Sequence, residues 1–236
     1  MKIRLGERDL KILAKCAAGK WLTTGQLQRL YFRSVTADAV RKSLRRLSTA
    51  GYLRTFRENR MAEALHAVGP KGKAVLEAKD IHVELSRTPP RQVGHLVGLN
   101  DIRVAVELGL DPVAYFFACW ELTRLGWEYP LIPDAVFALV RPERQTFILE
   151  YDRGTETSEM LLTKIRSYED SLAGFVFQAL ILVADSARRL DAVQRHLVER
   201  PLRLEVLGAL RADVQREGMG AMFRNAYRQM LHGGFR

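Results

Sequence analysis

Apolar positions recur at helical spacing in residues 6–18, GERDLKILAKCAA, where Leu10, Leu13, Ala14 and Ala17 share one side and acids occupy the first turn. Gly19 ends that stretch. The Thr23-Thr24 pair is placed to cap a second short helix over 26–32, with Leu27, Leu30 and Tyr31 turned toward the first. Thr36 caps a third, whose Ala37, Val40, Leu44 and Leu47 form an inward stripe, and Gly51 supplies its left-handed stop. After Gly51 the pattern becomes strand-like: 52–56 and 64–68 read as two strands joined by the polar connection 57–63. Pro70 then opens a further helix.

Thr88-Pro89-Pro90 cannot continue a helix, so 81–92 reads as a linker between residues 1–80 and a second domain over 93–217. That domain starts with a helix from Val93 that offers Leu96, Leu99, Val104 and Leu108 for burial. Strands are predicted at 114–121, 133–140, 146–152 and 177–184, and a helix over 156–173 lies between the last two, with Thr155 as its N-cap. A hairpin start followed by a helical crossover implies a mixed sheet flanked by helices, and an α+β protein. A helix up to Glu199 and a strand over 202–207 follow. The remaining 218–236 reads as an amphipathic helix with Met219, Met222, Phe223, Ala226, Tyr227, Met230 and Leu231 on one face. That face docks on its own domain or forms a homodimer contact.

Charge changes the picture when it is divided along the chain. Residues 1–80 hold 18 Lys or Arg against 7 Asp or Glu, a net +11, whereas 81–236 hold 19 against 20, a net −1. A basic module joined to a neutral domain is the footprint of nucleic-acid binding. The third helix carries Arg41, Lys42, Arg45 and Arg46 opposite its apolar stripe, a face that repels itself unless an anion lies against it. Cys16 and Cys119 sit in apolar surroundings at no metal-like spacing and read as buried thiols of a reducing compartment. With no apolar signal core and no run near the ~18 apolar residues of a membrane span, the expectation is a cytoplasmic protein without membrane partners. His95, His196 and His232 show no ligand spacing, and no Ser/His/Asp set or glycine-rich phosphate loop is recognisable.

Helix, helix, short turn, basic helix and hairpin, with GY-L after the basic helix and PKG after the hairpin, together resemble winged helix-turn-helix domains. Docking of such a helix in the major groove of double-stranded DNA would set Arg41, Lys42 and Arg45 nearest the base edges, with Arg46, Arg57 and Arg60 on phosphate or in the minor groove. Thr36 and Lys71 flank the same surface. The segments HLVGLNDIRVAVE, PDAVFAL and LEYDRGTE, followed by K-x-x-S-Y, resemble the replication-relaxation family, winged-helix proteins encoded largely on plasmids and integrative elements. Asp134 and Glu150 also resemble the acidic pair of the PD-(D/E)xK nuclease-like fold, and the order of elements agrees.

In active nucleases of that fold the pair binds Mg²⁺, and a lysine two positions after the second acid assists catalysis. Here that position is Asp152, so the set is incomplete. Lys164 is the one lysine after Lys79, in a region with eighteen arginines. It is read either as a relocated catalytic lysine reaching back from the face of Glu156, or as the partner that neutralises these acids in a pseudo-active site. The expectation is therefore a DNA-binding protein of a mobile element, without a cofactor, acting in plasmid replication, mobilisation or transcriptional regulation. The alternative is a metal-dependent nuclease with Asp134 and Glu150 as Mg²⁺ ligands and Asp152 and Lys164 beside them. A scaffold whose basic helix meets an acidic protein is a third reading.

Overall fold

A computed structural model describes residues 3–128, 131–171, 177–199 and 202–223. The chain forms two compact units, 1–100 and 101–236. Its elements in order begin with α1 (Glu7–Gly19), β1 (Leu22–Thr23), α2 (Thr24–Tyr31) and α3 (Ala37–Thr49). The hairpin β2 (Leu53–Phe56) and β3 (Leu65–Val68) follows, and then α4 (Pro70–Glu77).

Local chemistry accounts for the helix ends. Thr23 Oγ1 accepts from Gln26 N at 3.1 Å while Gln26 Oε1 accepts from Thr23 N at 2.9 Å, a reciprocal cap on α2. Thr36 Oγ1 accepts from Ala39 N at 3.4 Å at the head of α3. Gly51 closes α3 with φ +83°, a left-handed conformation that side chains with a Cβ resist. Val40, Leu44 and Leu47 are buried as the spacing predicts. Ala37 is exposed, because the first turn of α3 runs past the edge of the core.

The spacing did not reveal β1. Two residues are too few for an alternation, and only pairing with β3 defines them. The sheet order is β1-β3-β2, antiparallel throughout, so β3 is the central strand and all four of its residues are buried. Val83 is 2% exposed within this unit's core, beside Leu76 and Phe32, and the proline-containing stretch therefore packs against the unit where a free linker was expected. The unit boundary falls at 100/101, inside the helix α5 (Val93–Glu107). Asn100 Nδ2 donates to the carbonyls of Gly19 at 2.9 Å and Trp21 at 3.0 Å, which binds the first half of α5 to the first unit.

The second unit continues with β4 (Val113–Ala118), α6 (Cys119–Arg124), β5 (Ala135–Arg141), β6 (Glu143–Asp152) and α7 (Ser158–Ser171). It ends with β7 (Ala179–Ala184), α8 (Ala187–Glu199), β8 (Val206–Leu210) and α9 (Arg211–Glu217). The sheet is mixed, in order β4-β5-β6-β7-β8, with two antiparallel pairs followed by two parallel pairs. The apolar run expected as one strand over 114–121 divides at Cys119. There Glu121 turns back to accept from Ala118 N at 3.0 Å and starts α6. Cys119 is half-buried for the same reason, while Cys16 is fully buried.

β8 lies four residues later than expected, and α9 follows it directly. Of the predicted C-terminal helix, Met219 and Met222 are buried and Phe223 meets the edge of the Phe147 ring at 5.5 Å between centroids. Ala226, Tyr227, Met230 and Leu231 lie outside the described residues. Among the described residues no helix is long and apolar enough to cross a membrane.

Candidate nucleic-acid interface and carboxylate cluster

In the first unit, α3 and the hairpin β2–β3 enclose a cleft of about 600 Å³. Arg41, Lys42 and Arg45 line it from the helix and Arg57 from the hairpin. All four are exposed, and Arg41 also pairs with Asp38. The periodicity that buries Val40, Leu44 and Leu47 necessarily turns these cations outward, and Arg57, directly after β2, lines the same cleft.

Arg46 differs from its neighbours. Its guanidinium donates to both carboxylate oxygens of Asp9 at 2.7 Å, and Asp9, in α1, is only 7% exposed at its side chain. The fourth cation of α3 is thus committed to the unit's own framework, one helical step from the cleft. Arg60 is exposed near the apex of the hairpin loop. Thr36 serves as N-cap, and the stem of Lys71 lies over Gly51, where an added methyl would meet its Cδ at 3.6 Å.

The cleft is floored by a hydrogen-bonded relay that the sequence did not single out. His66, on β3, sets Nε2 3.0 Å from Thr24 Oγ1 and Nδ1 3.2 Å from Thr55 Oγ1, and Thr55 Oγ1 lies 2.8 Å from Ser48 Oγ. These four side chains come from α2, β3, β2 and α3. Burial, assisted by the nearby Arg57 charge, pushes the imidazole down to about 4, so it is neutral at physiological pH. A neutral ring has one donor and one acceptor nitrogen, which matches the two hydroxyls it faces.

In the second unit, the register Ala135↔Leu149 carried one step further sets Asp134 opposite Glu150. Side chains two apart on a strand share a face, so Asp152 joins Glu150 beside Ile148, which packs against α7 and α8. Asp134 itself precedes β5, where its Oδ2 accepts from Tyr151 N at 2.8 Å. Glu150 is 2% exposed, with Lys164 Nζ at 2.5 Å from Oε2 and Tyr168 donating to Oε1. Burial, and next the Asp134 charge, push the Glu150 carboxyl up to about 7 against the opposing pull of Lys164 and Tyr168. Burial pulls the Lys164 ammonium down, but the Glu150 carboxylate beside it outweighs that and leaves it above its usual value.

Asp152 faces Arg189 of α8, whose Nε lies 2.5 Å from Oδ2 and Nη2 3.3 Å from Oδ1. Arg189 also donates to Ser158 Oγ at 2.9 Å and to the Glu156 carbonyl at 2.6 Å. Glu156 lies ahead of α7, not within it, and Thr157 rather than Thr155 accepts from the helix's early N–H, that of Met160, at 3.2 Å. The Asp152 side chain and Gly154, with φ +75°, turn the chain early and delay the helix. Lys164 therefore reaches Glu150 from the second turn of α7, a helix that does not include Glu156.

Both oxygens of Glu150 and both of Asp152 are already engaged by the chain's own donors. Among the described residues no group of three or more His, Cys, Asp or Glu is placed to hold a metal ion. Lys164, Tyr168 and Arg189 thus supply the donors that face Glu150 and Asp152. Tyr168, the tyrosine of K-x-x-S-Y, is shown to reach Glu150 only in the structure, although its place four residues after Lys164 puts both on one helix face. Arg189 had no sequence signal, since nothing local links it to Asp152.

A two-unit α+β protein emerges, with a cationic helix beside a β-hairpin in one unit and a charge-compensated carboxylate cluster on a mixed sheet in the other. The chain belongs to the replication-relaxation family, whose family model matches residues 13–180. That span runs from within α1 to the start of β7 and takes in the cationic cleft together with Asp134, Glu150, Asp152, Lys164 and Tyr168, while Asp9 and Arg189 lie outside it. Comparisons with curated proteins and with solved structures yield no match.

Proposed function

We propose that the chain is a double-stranded DNA-binding protein of a mobile element, acting in plasmid replication, mobilisation or transcriptional control. In this reading the first unit is a winged helix-turn-helix domain. Its α3 enters the major groove, and β2–β3 is the wing. The observation that carries it is the convergence of Arg41, Lys42, Arg45 and Arg57 on one cleft. Asp38 answers Arg41, but the cleft lining keeps an excess of cations, which a row of phosphates complements. The family's name, replication-relaxation, agrees with a role on replicating DNA.

Arg41, Lys42 and Arg45 are assigned to base edges and adjacent phosphates, and Arg57, Arg60, Thr36 and Lys71 to the backbone. Arg46 is assigned to the framework through Asp9. Fluorescence anisotropy on a duplex selected from a random pool, run as a salt series, tests the reading. Arg45→Ala should cost roughly 1–3 kcal/mol and relax one base preference, and Arg60→Ala should mainly flatten the salt slope. Equal binding by both variants and the parent protein at every salt concentration would remove the docking scheme.

The second unit is proposed to be a nuclease-like domain without the usual catalytic set, its Asp134, Glu150 and Asp152 neutralised by Lys164, Tyr168 and Arg189. Incubation of supercoiled plasmid with Mg²⁺ or Mn²⁺, beside Asp134→Ala, is the test. Cleavage that disappears in the variant would establish the nuclease alternative instead. A cytoplasmic setting and pairing of two copies on half-sites about 34–36 Å apart complete the proposal. Light scattering with and without a two-half-site duplex reads out that pairing.

A further inference from the structure

The hairpin loop carries an apolar side chain that the cationic cleft does not account for. Phe56 and Leu65 are the last paired residues of β2 and β3, so eight residues, 57–64, make the connection, and Arg60 and Met61 are its central pair. Met61 is 95% exposed. Phe56, at the root of the loop, is covered in part by Trp21, whose ring meets it edge-on at 6.4 Å.

The loop is held in place at two points. Asn59 Oδ1 accepts from Met61 N at 2.9 Å and from Ala62 N at 2.8 Å, a side-chain-closed turn that presents residue 61 outward. On the returning arm, Glu63 Oε1 accepts from Gly25 N at 2.5 Å, which ties the loop to the head of α2. That contact also occupies one of the loop's two acids, leaving Glu58 beside Arg57 and Arg60, all three exposed. The apex thus offers an exposed apolar side chain directly after Arg60, with Arg57 earlier in the same loop.

Methionine is unbranched and polarisable, so it adapts to irregular apolar gaps. Apolar side chains of this kind, flanked by cations, enter the minor groove and separate stacked base pairs, kinking the duplex. We infer that Met61 is such a wedge: it inserts at a base step beside the site held by α3, with Arg57 and Arg60 on the bordering phosphates. This inference rests on the DNA-binding reading and adds to it a residue that selects for deformable sequence. Pyrimidine–purine steps, which unstack easily, are the steps it should favour.

The experiment uses the full chain and a duplex selected from a random pool, labelled at its ends for energy transfer. Met61→Leu keeps an apolar wedge, Met61→Gln keeps length but adds polarity, and Met61→Ala removes the wedge. Because the side chain is exposed, circular dichroism should show all three folded. The parent protein and Met61→Leu should shorten the end-to-end distance, while Met61→Gln and Met61→Ala should leave the duplex nearly straight and bind roughly tenfold more weakly. The loss should shrink when the pyrimidine–purine step is replaced by a stiff A-tract. Equal affinity and equal bend across the four proteins would overturn the wedge while leaving DNA binding intact. Failure of the parent protein to bind any duplex would overturn both.

Discussion

Neighbouring arginines on one helix have different fates in this protein. Arg45 lines the open cleft, whereas Arg46 is clamped to the buried carboxylate of Asp9. Removing one partner of such a pair leaves a poorly solvated charge behind. Arg46→Ala should therefore destabilise the first unit by on the order of 2 kcal/mol, discounted for the partial exposure of the guanidinium. Most of that loss should return in the Asp9→Asn, Arg46→Ala double variant. Urea titrations of the parent protein and the two variants check this, and an effect of Arg46→Ala on DNA affinity at unchanged stability would contradict it.

His66 makes a second prediction at the same scale. Its folded-state value, about 4, lies below the ordinary 6.5, so its contribution to stability is complete above pH 6.5 and is lost as pH falls toward 4. Glu150 runs the opposite way. Its value is raised from 4.5 to about 7, so its contribution is complete below 4.5 and is lost as pH rises through about 7. Unfolding midpoints across this range should lose the acid-side slope in His66→Gln and the neutral-side slope in Glu150→Gln. Slopes unchanged by either substitution would refute the assignment.

At the scale of elements, α3 and the hairpin are positioned by a junction of two glycines. Gly51 takes φ +83°, and a Cβ on Gly69 would lie 2.6 Å from the Gly51 carbonyl. The Gly69 N–H also donates to the Tyr52 carbonyl at 2.8 Å. Gly51→Ala should cost about 1–2 kcal/mol, the penalty for a left-handed residue with a side chain. Gly69→Ala should cost more, because backbone rather than a flexible side chain stands in the way. Thermal melts would rank the two, and the reverse order would show that the junction yields more easily than its geometry implies.

Helix ends and strand pairs with local signals were legible in this way: the Thr23 and Thr36 caps, the Gly51 stop and the hairpin with its polar connection. β1, α6 and α9 were not. Each is short, and each is defined by what it packs against rather than by its own periodicity.

At the scale of the whole chain, the placement of the unit boundary has a consequence. Val83 and Asn100 lie beyond residue 80, yet they complete the first unit's core and its hydrogen bonds. A fragment of residues 1–100 should unfold at a distinctly higher urea concentration than one of 1–80. Equal midpoints would restore the earlier boundary. The charge division makes the longer fragment the place to look for duplex binding as well.

The amino-acid order alone settled the properties that depend on neighbours a few residues apart. Helical stripes, caps, the hairpin and the uneven charge all follow from local spacing, and so does the outward face of Arg41, Lys42 and Arg45. Partners distant in sequence were decided only in three dimensions. Arg46 with Asp9, His66 with Thr24 and Thr55, Glu150 with Lys164 and Tyr168, and Asp152 with Arg189 each depend on how separate elements meet. A cation's spacing shows that it is available, but which carboxylate or hydroxyl it reaches is set by strand register and helix packing, which no local pattern encodes.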